Sequence, residues 1–149
     1  MKEENRKRSA SRIFSYEEIH VGQTGEYTRT ISETDIDQFA KVSGDFNPIH
    51  MDEDFAKSSF FQGRIAHGML SVSFISTVLA SKLPGPGSVW LSQEISFLKP
   101  VRIGDIITAK VEVLKKYDEK RRITMRTTCA NQDNQLVIDG KAVVMMLRD

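Results

Sequence analysis

Residues 43–70, SGDFNPIHMDEDFAKSSFFQGRIAHGML, hold two of the three histidines and an aspartate five residues before the first of them. Asp45 and His50 place a carboxylate and an imidazole on one short segment that Pro48 stiffens. Such a pair can hold a water molecule between its two members and exchange a proton with it, which is general acid–base chemistry typically worth about 10²–10⁴ in rate. Asn47 adds a neutral group that can orient a neighbour.

Gly68 begins an apolar run, GMLSVSFISTVLASK, that predicts a helix over residues 68–82. The first residues of a helix present unpaired N–H groups and a partial positive charge. A glycine there lets a ligand carbonyl approach the backbone closely, which makes an oxyanion hole for an enolate or thioester oxygen. An acid–base pair and such a donor are the groups needed to add water across a double bond conjugated to a carbonyl.

Each of these residues also has a purely structural interpretation. Asp45 follows a glycine that ends a helix, so spacing alone leaves capping of backbone N–H groups and catalysis equally open. Taken alone, His50 is read as a hydrogen-bonded loop histidine, and His67 as a structural residue that helps to fix the helix start. Ser76 in mid-helix would usually bond back to a carbonyl. Cys129 alternates with apolar residues, which indicates a buried, inert thiol.

Composition narrows the class of protein. The chain has 149 residues, and we expect a basic, disordered tail at residues 1–12 followed by one domain over residues 13–149. The tail carries five basic and two acidic residues. The remaining 16 basic and 18 acidic residues give residues 13–149 a net charge of −2, which does not indicate a basic surface for binding nucleic acid. We expect no membrane span and no signal peptide. A single cysteine excludes an intrachain disulfide and indicates a cytoplasmic setting.

The elements around the candidate residues predict an α+β fold. Strand-like alternation occurs at residues 25–31, and Ser32 and Gly44 bracket a first helix. Residues 45–54 are expected to form a loop, because a residue before proline disfavours helix. After the apolar helix, four alternating runs at 88–98, 105–115, 122–130 and 135–147 predict an antiparallel meander. A helix so apolar must be buried on most faces, so we expect about five strands to wrap around it.

Metal and nucleotide sites find no support in the sequence. An EF-hand beginning at Asp45 would need glycine at its sixth position and glutamate at its twelfth, where the chain has His50 and Ala56. A site built from His50, Asp52 and Asp54 lacks a fuller ligand set. No P-loop, GxGxxG or GxSxG motif is present. We therefore expect no metal.

The run GDFNPIH at residues 44–50, followed by AHGML at 66–70, resembles the signature of the (R)-specific enoyl-CoA hydratases in the MaoC-like dehydratase family. The resemblance implies a hotdog fold, a homodimer or higher oligomer, an acyl-CoA substrate, and no cofactor, since CoA is part of the substrate. It implies Asp45 and His50 as the catalytic pair and the Gly68 N–H as the thioester-carbonyl donor. Asn47 would support the site, and Ser76 would hydrogen-bond the catalytic aspartate.

Other functions remain open from the sequence. A hotdog acyl-CoA thioesterase, a 3-hydroxyacyl-acyl-carrier-protein dehydratase and a non-catalytic acyl-CoA-binding subunit are the alternatives. Chain-length preference is open too, because a one-residue register error inverts every side chain that lines a tunnel. The residues alone also do not assign which of Asp45 and His50 activates the water.

Overall fold

A computed structural model describes residues 13–148. The disordered tail predicted at residues 1–12 lies outside these described residues. A 3₁₀ turn at Tyr16–Glu18 precedes the regular elements. The strands are β1 Thr24–Thr30, β2 Ser88–Phe97, β3 Ile106–Tyr117, β4 Arg122–Ala130 and β5 Leu136–Met146, and the helices are α1 Glu33–Ser43, α2 Pro48–Met51, α3 Glu53–Lys57 and α4 Gly68–Ser81.

The five strands form one antiparallel sheet in the order β1-β3-β4-β5-β2. The predicted meander holds for β3, β4 and β5 but is wrong for β2, which pairs with β5 instead of β3. The reason is the connection at residues 98–105, which crosses the sheet instead of turning back as a hairpin. It is held on the way by a 2.7 Å hydrogen bond from the Ala66 N–H to the Val101 carbonyl, just before α4 begins.

Helix α4 packs against the sheet, and together they form the core. On β3 the predicted face of Ile107, Ala109, Val111 and Val113 is buried, and Ile75 and Val78 of α4 have no exposed surface. Only one stripe of α4 reaches solvent, at residues 69, 73, 76 and 80. This is the α+β arrangement that the sequence predicted and the hotdog fold that the resemblance implied. Within residues 13–148, no helix is long and apolar enough to cross a membrane.

Helix α1 ends where the candidate site begins, and its ends are formed as predicted. The Ser32 side chain accepts the Asp35 N–H, and the Asp35 carboxylate accepts the Ser32 N–H in return. At the other end, Gly44 adopts φ +80°, a left-handed conformation that favours glycine, and its N–H bonds the Ala40 carbonyl at 2.8 Å. The next residue, Asp45, therefore leaves the helix at a fixed point.

Asp35 stabilises the fold by an amount that depends on pH. Its buried carboxylate accepts hydrogen bonds from the Arg29 guanidinium, which lowers the pKa of Asp35 from its ordinary value. A carboxyl with a lowered folded-state pKa stabilises the fold above its unfolded-state pKa, near 3.9, and this stabilisation is lost as the pH falls through the folded value.

We expect Asp35→Asn to lower the free energy of unfolding at pH 7 by about 1–3 kcal/mol, since it weakens hydrogen bonds to a charged group. The difference from wild type should shrink as the pH falls below about 4. Urea denaturation at both pH values measures it, with exposed Asp133→Asn as the matched control. A difference that does not change with pH would contradict the assignment.

Candidate active site

The loop after α1 positions Asp45 through a chain of short-range hydrogen bonds. The Asp45 carboxylate accepts the Asn47 N–H at 3.1 Å, and the Asn47 side-chain oxygen accepts the Ile49 N–H at 3.2 Å. Asn47 thereby caps α2, whose first residue is Pro48. Asp45 is exposed and uses one carboxylate oxygen in the loop, so capping and a chemical role are compatible. The predicted supporting role of Asn47 has a structural counterpart in this cap.

Residues 48–51 form a short helix where the sequence predicted a loop. Proline does disfavour helix in the residue before it, but its fixed φ suits the first position of a helix, and Asn47 before it is a strong N-cap. The consequence is that His50 lies on α2 and is directed back toward the start of α4. It is half-buried and lines a cavity there.

The hydrogen bond of His50 determines which ring nitrogen is available. Its Nδ1 lies 2.8 Å from the Ile65 carbonyl oxygen, which can only accept, so Nδ1 carries the hydrogen. The neutral ring then has its lone pair on Nε2. Burial lowers the pKa of His50, and the neighbouring His67 and Arg64 act in the same direction, while the Ile65 carbonyl and Asp45 oppose them. The neutral, basic form is favoured.

Asp45, His50 and His67 form one cluster. One carboxylate oxygen and one nitrogen of each ring all lie within 4.8 Å of one another. Such spacing suits a water molecule that hydrogen-bonds both the Asp45 carboxylate and His50. A cation could in principle use the same three groups. The two rings lie against each other with centroids 4.1 Å apart and a tilt of 31°, and each already uses one nitrogen on a backbone carbonyl, so one nitrogen of each ring is left as a ligand.

Gly68 is the first residue of α4 and borders the same cavity of about 390 Å³ as His50. Its N–H has no acceptor among residues 13–148. A Cβ at this position would lie 2.4 Å from the Phe97 ring, so only glycine lets that ring close over the helix start. Apart from Lys99 and Ser71, the cavity walls are mainly apolar and come from the crossing connection, β5 and the segment before α4. The cavity can therefore take a hydrocarbon chain next to a hydrogen-bond donor.

Ser76 does not reach Asp45 within the chain. It lies eight residues after Gly68, which is about 12 Å along the axis of α4, and it belongs to the exposed stripe of that helix. The hydrogen bond between Ser76 and Asp45 that the resemblance implied is therefore not formed within one chain. The structure brings together Asp45, Asn47, His50 and Gly68, and leaves Ser76 apart.

Two neighbours of the site make contacts that the sequence did not predict. Arg64, whose side chain is 8% exposed, donates to the His50 carbonyl at 2.6 Å and pairs with Glu33 at 2.8 Å, which ties α2 to α1. His67 was expected to fix the helix start, but its ring makes no cap hydrogen bond and donates to the Asp45 carbonyl instead. The one signal in the sequence was its position directly before Gly68.

Cys129 is buried as predicted, and burial raises the pKa of its thiol to about 12.

The chain is similar to known proteins over most of its length. A family model described as "MaoC like domain" matches residues 17–135. An (R)-specific enoyl-CoA hydratase of Rhodospirillum rubrum is 49% identical over 88% of this chain and 90% of its own length. A 3-hydroxybutyryl-CoA dehydratase of Methylorubrum extorquens is 45% identical over 89% of this chain and 84% of its own. The R-hydratase PhaJ1 of Pseudomonas aeruginosa superposes with a TM-score of 0.85 at 46% identity, covering 90% of this chain and 86% of that one.

Proposed function

The chain belongs to the MaoC-like domain family, and from that membership we propose that it is an (R)-specific enoyl-CoA hydratase. It adds water reversibly to a trans-2-enoyl-CoA and gives an (R)-3-hydroxyacyl-CoA, so it is a hydro-lyase. The observation that carries the proposal is that His50, which is clustered with Asp45, and the unpaired Gly68 N–H border one mainly apolar cavity. These are the groups that hydration of a conjugated thioester requires.

We assign the base to His50 because its Nε2 lone pair is available while its Nδ1–H is held by Ile65. Water lies between the Asp45 carboxylate and His50 Nε2. The carboxylate accepts a hydrogen bond from one water proton and orients the oxygen toward C3, while Nε2 removes the other proton. The C3–O bond forms as the C2=C3 electron pair moves toward the thioester carbonyl oxygen.

Gly68 stabilises the charge that this step creates. Its N–H donates to the enolate oxygen, and the N-terminal end of α4 adds favourable electrostatics in a cavity with few polar walls. The imidazolium of His50 then returns its proton to C2, which completes the addition of one water. The same group removes and delivers the proton on one face, so the addition is syn.

This chemistry needs no metal and no redox cofactor, since hydration changes no net oxidation state and the backbone N–H stabilises the enolate. CoA takes part only as the carrier portion of the substrate. Its phosphates are expected to bind outside the cavity, and Lys99 at the cavity wall is one available cation. The depth of the apolar part of the cavity determines which acyl-chain lengths fit.

The assignment of His50 as base gives a pH prediction. Because burial lowers the pKa of His50 below its ordinary value of 6.5, the neutral base persists at pH values where a free histidine would be half protonated. We expect the acid limb of kcat/KM for hydration to lie below 6.5, since this limb reports the free enzyme. Rates measured between about pH 5 and 8 check it. An acid limb above 6.5 would contradict the assignment.

We further propose a homodimer that acts on acyl-CoA in the cytoplasm. Strand β2 is ten residues long and lies at the edge of the sheet, where it leaves backbone groups unpaired. Val89 and Leu91 on this strand are 36% and 41% exposed, which favours covering by a second copy. Light scattering coupled to gel filtration should give twice the chain mass or a higher multiple, and a monomer at all concentrations would rule this out.

The proposed reaction is tested by incubating the protein with crotonyl-CoA. We expect loss of the conjugated-thioester absorbance with no release of free thiol. Thiol release would instead identify a thioesterase, and binding with unchanged absorbance would identify a non-catalytic subunit. Parallel reactions with crotonyl-CoA and the same acyl group on acyl carrier protein compare kcat/KM for the two carriers. A large preference for the carrier protein would replace CoA in the proposal.

A further inference from the structure

His67 lies at the centre of the candidate site although the proposed reaction does not use it. Its side chain is 2% exposed, and its ring lies between Phe39, with centroids 4.9 Å apart, and His50, at 4.1 Å. Its Nε2 lies 2.9 Å from the Asp45 carbonyl oxygen, which can only accept, so Nε2 carries the hydrogen. The next residue is Gly68. His67 therefore contacts or adjoins each of the three groups to which we assign the reaction.

We propose that His67 is a positioning residue: its bond to the Asp45 carbonyl and its stacking on His50 fix both reacting side chains relative to the Gly68 N–H. The inference rests on the proposed function and adds a role to it. His67 itself need not touch substrate.

The hydrogen bond acts on Asp45. Asp45 belongs to an exposed loop whose other bonds are local, to Ser43 and Asn47. The bond from His67 Nε2–H is the long-range one, since it joins that loop to the start of α4 across 22 residues. Acid–base catalysis needs its groups held within about 0.5 Å of the productive geometry. The bond from the buried His67 ring therefore adds a restraint from α4 to the loop's local bonds.

The stacking acts on His50. Two neutral imidazoles can stack, whereas a proton on His50 places charge against the buried ring of His67, and this disfavours protonation. Other charged groups also face His50. Arg64 bonds its carbonyl and disfavours the proton as well, Asp45 favours it, and Lys99 borders the same cavity. His67 is the member of this set whose ring contacts the His50 ring directly.

Two substitutions separate the two contacts. His67→Phe keeps an aromatic ring between Phe39 and His50 but removes the donor to Asp45, so we expect kcat to fall by up to about 10²-fold with little change in KM. His67→Gln keeps an N–H near the Nε2 position but removes the ring, so kcat should fall less, while the acid limb of kcat/KM moves to higher pH. His20→Ala, at an exposed histidine outside the site, is the matched control and should leave both kcat and the acid limb unchanged.

The outcomes distinguish this inference from the proposed function. A wild-type protein that does not hydrate crotonyl-CoA refutes the proposed function. An active wild type, with folded His67→Phe and His67→Gln variants that keep its kcat and pH profile, refutes the positioning role. If the variants do not fold, imidazole ¹⁵N spectra of the wild-type protein decide the matter. The Nε2–H tautomer at His67 with Nδ1–H at His50 supports the inference, and Nδ1–H at His67 overturns it.

Discussion

Replacing His50 with alanine should lower kcat for crotonyl-CoA hydration by about 10²–10⁴-fold, the usual contribution of a positioned acid–base group. The variant loses Nε2, to which we assign both the removal of the water proton and its delivery to C2. Asp45→Asn should lower kcat strongly too, because an amide orients the water less well and no longer balances the imidazolium charge. KM should change little in either variant, since neither side chain is expected to bind the acyl chain.

The chain offers matched controls for both substitutions. His20 is exposed and lies outside the site, so His20→Ala should keep wild-type kcat, as should Asp133→Asn in an exposed hairpin. Circular dichroism and gel filtration establish that each variant is folded and has the wild-type oligomeric state. Retained hydration in both folded site variants would refute the assignment of the pair.

Gly68→Pro should lower kcat by about 10²–10³-fold relative to Gly68→Ala, the usual cost of losing one oxyanion-hole donor. Proline lacks the N–H but is favoured at the first position of a helix. His67, with φ −58° and ψ 131°, already has a conformation that a following proline accepts. The substitution can therefore remove the donor without breaking α4.

Gly68→Ala is the control that isolates the N–H. Both substitutions add a Cβ that meets the Phe97 ring, at 2.4 Å in the present arrangement, and the ring is 56% exposed and free to rotate away. Any loss common to the two variants reports the displaced ring, and the further loss in Gly68→Pro reports the N–H. Equal kcat values in the two folded variants would show that this N–H does not stabilise the transition state.

The sequence predicted the regular elements well because their signals are local. Alternating residues placed β3 and β4 within two residues of their observed ends, and Ser32 and Gly44 marked the limits of α1 through cap chemistry. The position of β2 was missed because strand order depends on where a connection crosses the sheet. Helix α2 was missed because Pro48 was interpreted only through the residue before it, whereas it also begins a helix.

The candidate site was predictable to the same extent. Asp45 and His50 are close in sequence, and Gly68 stood out as the first residue of an apolar run, so spacing could place all three. His67 was underestimated because its contacts with Asp45 and Phe39 join residues that are more than twenty positions apart. Ser76 stays a prediction, since its exposed position on α4 does not reach Asp45 within one chain.

The central claim is tested most directly by the configuration of the product formed in D₂O. Hydration of crotonyl-CoA by the wild-type protein should give (R)-3-hydroxybutyryl-CoA, with deuterium at C2 on the face that received the hydroxyl, because His50 serves both steps from one side. Chiral chromatography and proton NMR measure the two centres. An (S) product, or deuterium on the opposite face, would contradict the account.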